Sequence, residues 1–453
     1  MPHPVVIIGA GPIGLAAAAY AAERDLDFVV LEAGTGAGSA VGEWAHVRLF
    51  SAWRELVDPA ARRLLESAGT WTAPDPDAYP TGGEWREQYL RPLAELLAAS
   101  AGGTVRYRAR VTGVGRAGRD LLVDSGREDA PFAVHVETSS GRERLLGSAV
   151  VDASGTWTQP NPLGADGYPA LGERENADRI SYGIPDFDDP AVASRYAGKH
   201  VAVAGKGASA QGVLIGLAKL AQQYSPQSQT TRVSWLLRRP SVGAAFGGGD
   251  NDQLEQRGRL GRDAKAAASS GAVTNVTQFR TASVTVQDDR RLTVASTTGQ
   301  KVSDVDEIIV VTGFRPDFGF LSEVRLDLDP ALGSTRILAD QIHPDHHSCG
   351  DVAPHGYKEL AQPEHGLFLV GMKSYGRAPS FLAMTGFEQV RSVVAALDGD
   401  LKAAARVELV LPDTGVCNGA GAFDQPDAAN SGGCCGTLPA AEPELVMLGR
   451  PGR

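Results

Sequence analysis

Two glycine-rich turns carry the first chemistry that this 453-residue sequence offers. Gly9-Ala-Gly11-Pro-Ile-Gly14 follows the β-branched run Val5–Ile8 and precedes the Ala-rich segment Leu15–Ala22, which reads as a helix; a second apolar run, Phe28–Leu31, ends at Glu32. A GxGxxG turn between strand and helix suits a dinucleotide: the first glycine makes the turn, the second lets a pyrophosphate approach the backbone, and the third lets the helix pack on the strand. The pyrophosphate then meets the N–H groups and dipole of a helix N-terminus, and Glu32 would accept hydrogen bonds from a ribose hydroxyl. The second turn, Gly205-Lys-Gly207-Ala-Ser-Ala210, lies between the strand His200–Ala204 and the apolar helix Gln211–Ala221, with Ala210 in the third place. Ser209 is a candidate phosphate contact. The next strand, Val233–Leu237, ends in Arg238-Arg239 where the first unit has an acid, and arginine there suits a 2′-phosphate. The two units therefore read as FAD first and NADPH second.

These turns require buried parallel strands, and the short β-branched runs before them are of that kind. Val105–Val114 and Phe132–Thr138 instead alternate polar and apolar residues, as half-exposed antiparallel strands do, and Val111 on the former is a candidate FAD contact. Lys plus Arg number 43 and Asp plus Glu 54, so the net charge of −11 argues against nucleic-acid or anionic-membrane binding. Four cysteines exclude a disulfide-built scaffold. The longest uncharged apolar run, Val5–Ala22, is broken by Gly9, Gly11, Pro12 and Gly14 and has no basic residue before it, so it does not read as a signal peptide. The expected location is the cytoplasm, with free thiols.

Two complete units in one chain resemble the two-dinucleotide-binding flavoproteins. Ala149–Trp157 (AVVDASGTW) and Asp306–Pro316 (DEIIVVTGFRP, with Gly313) look like that superfamily's two crossings between its domains. Gly366–Gly371 (GLFLVG) and Thr385-Gly386-Phe387-Glu388-Gln389 look like its last FAD strand and the helix that follows, which makes Gly371 and Thr385 FAD contacts. The implied fold is α/β, with two Rossmann-like three-layer domains, the NADPH domain inserted in the FAD domain. Residues 1–160 would be the first part of the FAD domain, 161–303 the NADPH domain, 304–405 the second part, and 406–453 a Gly/Pro-rich tail.

Within the superfamily, thioredoxin-reductase-like enzymes carry a CxxC beside the flavin; here the first 348 residues lack cysteine. They also carry Gly-Asp after the last FAD strand, where this chain has Gly371-Met372. Class B flavin monooxygenases commonly lack that Asp. Their FxGxxxH fingerprint is absent, since Ile180–Phe187 reads ISYGIPDF, which puts oxygen insertion in question. Gly42–Trp53, Phe246–Gly261 and Gly371–Pro379 resemble the monooxygenase-like flavoproteins found with bacterial arsenic-resistance genes. The resemblance implies hydride transfer from NADPH to FAD, oxygen activation at flavin C4a, and a small-molecule substrate. It also brings Trp44 to the flavin and makes Arg48, Lys373 and Arg377 candidate catalytic cations, against the alternative that they are structural or surface charges. The competing function is an NADPH-driven reductase of a soft metal or metalloid. A third is a flavin redox sensor without turnover.

Five of nine histidines, His343, His346, His347, His355 and His365, fall in one stretch with Cys349 and Asp351. The prolines and glycines among them read as a loop more than as a metal site. In the tail, Cys417 and the adjacent Cys434-Cys435 are soft thiolate ligands for trivalent arsenic or a similar ion; an incidental or regulatory thiol group is the alternative.

Overall fold

The computed structural model describes residues 3–223, 230–247, 255–343, 352–379 and 381–409. The β-branched run at the start of the chain becomes β1 (Val5–Ile8), which pairs in parallel with β2 (Phe28–Leu31), and β2 with β3 (Gly103–Arg106). The chain then builds a separate antiparallel sheet from β4 (Arg110–Arg116), β5 (Phe132–Thr138) and β6 (Gly141–Gly147). It returns as β7 (Ala149–Asp152) to the other side of β1. Every residue of β1, β2 and β7 is buried, as a sheet covered on both faces requires.

The insertion repeats the plan. β8 (Ile180–Tyr182), β9 (His200–Ala204), β10 (Arg232–Leu236) and β11 (Val273–Val276) are followed by the antiparallel β12 (Thr281–Val286), β13 (Leu292–Ser296) and β14 (Lys301–Val305), then by β15 (Glu307–Val310). The parallel strands lie in the order β11-β10-β9-β15-β8. A last strand, β16 (Leu367–Leu369), completes the first sheet in the order β16-β7-β1-β2-β3.

Helices cover both sheets. α1 (Pro12–Glu23) starts inside the first glycine turn with proline at its first position, where the missing N–H costs nothing. Ala16, Ala17, Ala18 and Ala19 are all 0% exposed. Small side chains around its circumference let α1 lie between the sheet and the helix Ala383–Leu397, and a helix apolar all round must be buried. In the second unit, α2 (Ala208–Gln223) packs against α3 (Glu255–Ala268). α4 (Ala383–Leu397) closes the first domain against α1.

The two domains are joined by two crossings that pair with each other. Asn161 N–H donates to the Gly313 carbonyl and Arg315 N–H to the Gln159 carbonyl, both at 2.9 Å. The Asn161 side-chain amide adds a bond to the Thr312 carbonyl at 3.0 Å.

Two sequence expectations are corrected. Val105–Val114 is not one strand: the chain breaks at Arg108, held at φ = 51°, and its halves join different sheets. The domain boundary expected at 303/304 also moves, because β15 is hydrogen-bonded between β9 and β8 and the return crossing comes only after it. No helix among the described residues is long and apolar enough to cross a membrane.

Candidate functional site: two glycine turns and the cleft between them

The glycines of the first turn differ in what surrounds them. Gly9 has φ = 101°, and a Cβ there would stand 2.8 Å from the Ala153 carbonyl oxygen. A Cβ at Gly14 would stand 1.9 Å from the Gly9 carbonyl oxygen, so the helix can approach the turn only with glycine. At Gly11 a Cβ would meet no atom within 4 Å. Gly11 is thus glycine for a reason outside the packing of the protein, and the approach of a phosphate to the backbone supplies one. The second turn repeats the contrast. A Cβ on Gly205 would stand 2.3 Å from the Val311 carbonyl oxygen, and one on Gly207 would meet nothing. Ala210, in the third place, is fully buried at the start of α2. Trp235 locks this turn by donating its indole N–H to the Gly205 carbonyl at 2.7 Å.

Glu32 ties the end of β2 to the first turn. Its carboxylate accepts the Ala10 N–H at 2.8 Å through Oε2 and the Gly34 N–H at 2.7 Å through Oε1. Each oxygen keeps a second lone pair, so the ribose role remains chemically open. Gly371, at φ = 68°, and Gly386 both press on Ile13, the residue after Pro12, and Thr385 is buried in the first turn of α4. The end of β16 and the start of α4 therefore converge on the first turn. Val111 packs in β4 against the apolar layer under the first sheet, a layer that includes Val6 and Ile8 of β1.

Between the domains lies an apolar cleft of about 210 Å³. Trp44 and Val47 come from the first domain, Trp157 from one crossing, Gly313 and Phe314 from the other, and Ile184 and Ser209 from the second domain. Trp157 and Phe314 stack at 4.5 Å, and Trp44 stands 6.4 Å from Trp157. Trp157 donates its indole N–H to the Glu43 carboxylate at 2.6 Å, which fixes the ring between the two domains. Of the expected site residues, Trp44, Ser209 and Gly313 meet in this cleft.

The three candidate catalytic cations do not. Arg48 is exposed, donates to the Tyr79 carbonyl and lies 3.9 Å from Glu84. Arg377 is exposed. Lys373, expected to face the flavin, is wholly buried: its Nζ lies 2.6 Å from Asp152 Oδ2 and donates to Ser154 Oγ at 3.1 Å, over the rings of Phe318 and Phe320. The Asp152 contact is a close approach of charges whose angle is too bent for a hydrogen bond. A buried ammonium persists only when paired, and Asp152 at the end of β7 supplies the pair. Sequence reading found Lys373 but not Asp152, because nothing local links positions 221 residues apart.

His355 is also structural. Burial pushes its imidazole below its ordinary range, its Nδ1 meets the Ala353 carbonyl at 3.2 Å, and its Nε2 takes the Gln389 amide N–H at 2.8 Å. Gln389 in turn accepts the Gly371 N–H at 2.7 Å and donates to Ser374 Oγ at 2.9 Å. No group of three or more His, Cys, Asp or Glu side chains that could hold a metal occurs among the described residues. His346, His347, Cys349 and the tail residues Cys417, Cys434 and Cys435 lie outside them.

At the end of β10, desolvation of the Arg238 guanidinium, with a smaller contribution from the charge of Arg280, holds it below the usual range. Arg239 keeps a buried Nε donor without a hydrogen-bond partner.

Residues 7–68 match the family model described as an NAD(P)-binding Rossmann-like domain. No curated protein matches the chain by sequence. Among solved structures, the bacillithiol disulfide reductase Bdr of Bacillus cereus is 18% identical with a TM-score of 0.63 over 88% of this chain and 99% of its own. A flavin monooxygenase from Stenotrophomonas maltophilia is 20% identical, with a TM-score of 0.55 over 87% and 99%. The FAD-bound cadaverine monooxygenase of desferrioxamine biosynthesis from Erwinia amylovora is 13% identical, with a TM-score of 0.58 over 90% and 98%. The chain thus has the fold of the two-domain FAD/NAD(P) oxidoreductases: mixed α/β with two parallel Rossmann-like sheets.

Two pairs of variants separate packing from binding. Gly14→Ala must displace the turn and should destabilise the protein by about 1–3 kcal/mol. Gly11→Ala should lose the flavin absorbance of the purified protein while melting at the same temperature as wild type when both are stripped of flavin; retained flavin would remove Gly11 from the cofactor site. Lys373→Met should cost about 3–5 kcal/mol by stranding Asp152, and Asp152→Asn in the same chain should restore much of that in a denaturant titration. A Lys373→Met protein of unchanged stability would contradict the structural role.

Proposed function

We propose that this chain is an FAD-dependent, NADPH-using oxidoreductase of the flavin-monooxygenase-like kind. The observation that carries the reading is the repeated turn. In each unit the second glycine has no packing partner while the first is pressed against a crossing, so two separate turns are shaped for phosphate. The donor set fits both groups. FAD would be held by the Gly9–Gly14 turn, Glu32, Gly371 and the start of α4. NADPH would be held by the Gly205–Ala210 turn, Ser209, Arg238 and the buried donor of Arg239. Flavin, when bound, supplies hydride acceptance and the transfer of electrons onward to oxygen or another acceptor.

What the chain itself contributes is placement and dryness. The paired crossings set the distance between the two turns. Trp44, Trp157 and Phe314 line the space between the domains with apolar surface, which excludes water from chemistry performed there. Glu43 keeps Trp157 in place, and the Lys373–Asp152 pair fixes the end of β7, from which one crossing departs.

The monooxygenase assignment is favoured over disulfide reduction by the cysteine positions, since none precedes Cys349. An arsenic-linked role rests on the Gly42–Trp53, Phe246–Gly261 and Gly371–Pro379 resemblance. The tail thiols support the alternative, a metalloid reductase. Aerobic NADPH oxidation in ¹⁸O₂ with methylated and inorganic trivalent arsenicals tests both. Label in an oxidised product supports oxygen insertion. Peroxide as the sole aerobic product, with anaerobic NADPH oxidation coupled to reduction of the corresponding pentavalent arsenicals, would favour the reductase.

A further inference from the structure

The two nucleotide turns are held by different means. In the first, the Gly9 carbonyl lies against the start of α1, so close that a Cβ on Gly14 would stand 1.9 Å from its oxygen. The second turn cannot close in that way, because Ala210, 0% exposed, carries a Cβ in the corresponding place. Its first carbonyl, on Gly205, instead accepts the Trp235 indole N–H at 2.7 Å. The strand registers align the two domains. Trp235 pairs with Val203, ahead of Gly205, as Val30 pairs with Ile7, ahead of Gly9. A valine side chain has no donor to offer. Glycine and valine in one domain thus stand where alanine and tryptophan stand in the other. Trp235 is 0% exposed and shares an apolar layer with Val213, Leu214 and Leu217 of α2. Phe246 packs against its ring at 5.7 Å between centroids. The indole is therefore fixed before any ligand arrives.

We propose that Trp235 is a positioning residue for NADPH: in place of a third glycine, its indole holds the Gly205–Lys206 peptide in the orientation that the nucleotide needs. The inference rests on the NADPH reading above and adds a residue that acts through the turn without touching the nucleotide. Gly205 has φ = 132°, and glycine leaves the peptide that follows it free to rotate. That peptide is planar, so holding its carbonyl sets the whole plane, and with it where Gly207 and the first turn of α2 stand. A turn ordered beforehand binds more tightly than one that must be ordered on binding. The pairing of Ala210 with Trp235 sharpens the claim. Loss of the indole N–H should matter while alanine is in the third place. It should matter less with glycine there, because α2 can then close on the Gly205 carbonyl as α1 closes on that of Gly9.

The test is calorimetric titration of the flavin-loaded full-length protein with NADP⁺. Trp235→Phe, which removes the N–H and keeps an aromatic ring, should weaken NADP⁺ by roughly 3- to 10-fold, the range of one net hydrogen bond. The flavin absorbance per chain should match wild type, since the flavin belongs to the other domain. Site-specific replacement of Trp235 by 3-benzothienylalanine, which carries sulfur in place of the N–H on the same ring frame, should give the same loss and serves if the phenylalanine variant does not fold. Ala210→Gly added to either variant should recover part of the affinity, and in wild type should give no such gain. Unchanged NADP⁺ affinity in the Trp235 variants would overturn the role of Trp235 while leaving NADPH use intact. So would an Ala210→Gly gain of equal size with and without the indole N–H, because the two residues would then be uncoupled. Loss of flavin together with NADP⁺ would make Trp235 a packing residue and overturn the positioning role as well. A wild type that binds no NADP⁺ would overturn the NADPH reading, and this inference with it.

Discussion

Each domain depends on one close approach: the chain leaving the sheet passes directly over the first glycine of the nucleotide turn. In the first domain Ala153 N–H donates to the Ile8 carbonyl at 2.9 Å while the Ala153 carbonyl lies where a Gly9 side chain would be. In the second, Val311 N–H donates to the Ala204 carbonyl at 2.8 Å and the Val311 carbonyl lies where a Gly205 side chain would be. The same glycines that allow the turn thus allow the crossing. Because β7 and β15 each sit beside the strand that carries its domain's turn, the two crossings start at the carboxyl ends of the two sheets, where ligands of open α/β sheets bind. Turn, crossing and cleft are one construction, made twice.

That construction explains how charge and apolar surface are distributed. At the start of the first crossing the buried Lys373–Asp152 pair joins β7 to the segment after β16. Farther along, the crossings meet as a short antiparallel pairing, and their aromatic residues face each other as the Trp157–Phe314 stack. The cleft has little polar lining of its own. Its chemistry must be brought by what the two turns bind, which is how a cofactor-dependent oxidoreductase divides its labour.

Much of this was legible in the sequence because it is local. Strand, glycine turn, helix and second strand follow one another within about thirty residues in each unit, the span of one βαβ motif. The strands that flank the two glycine turns, Val5–Ile8, Phe28–Leu31 and His200–Ala204, therefore fall where reading placed them. Failures came where distant residues decide. Val105–Val114 looked continuous because alternation ignores backbone sign, and Arg108 turns left-handed there. Lys373 looked available for catalysis because its partner lies in another strand. The Trp157–Phe314 stack joins residues with no spacing relation at all. Arg48 and Arg377 were singled out for their motif neighbourhood, which does not tell a cleft-facing cation from a solvated one.

The central claim is that two turns in one chain hold two different nucleotides and that the cleft between them lets one reduce the other. Anaerobic stopped-flow mixing of the purified protein with NADPH or NADH, followed at the flavin absorbance, tests this directly. The account predicts a flavin spectrum in the isolated protein that bleaches with NADPH, and bleaches more slowly with NADH at equal concentration. A protein that holds no flavin, or whose flavin neither nicotinamide reduces, would contradict it.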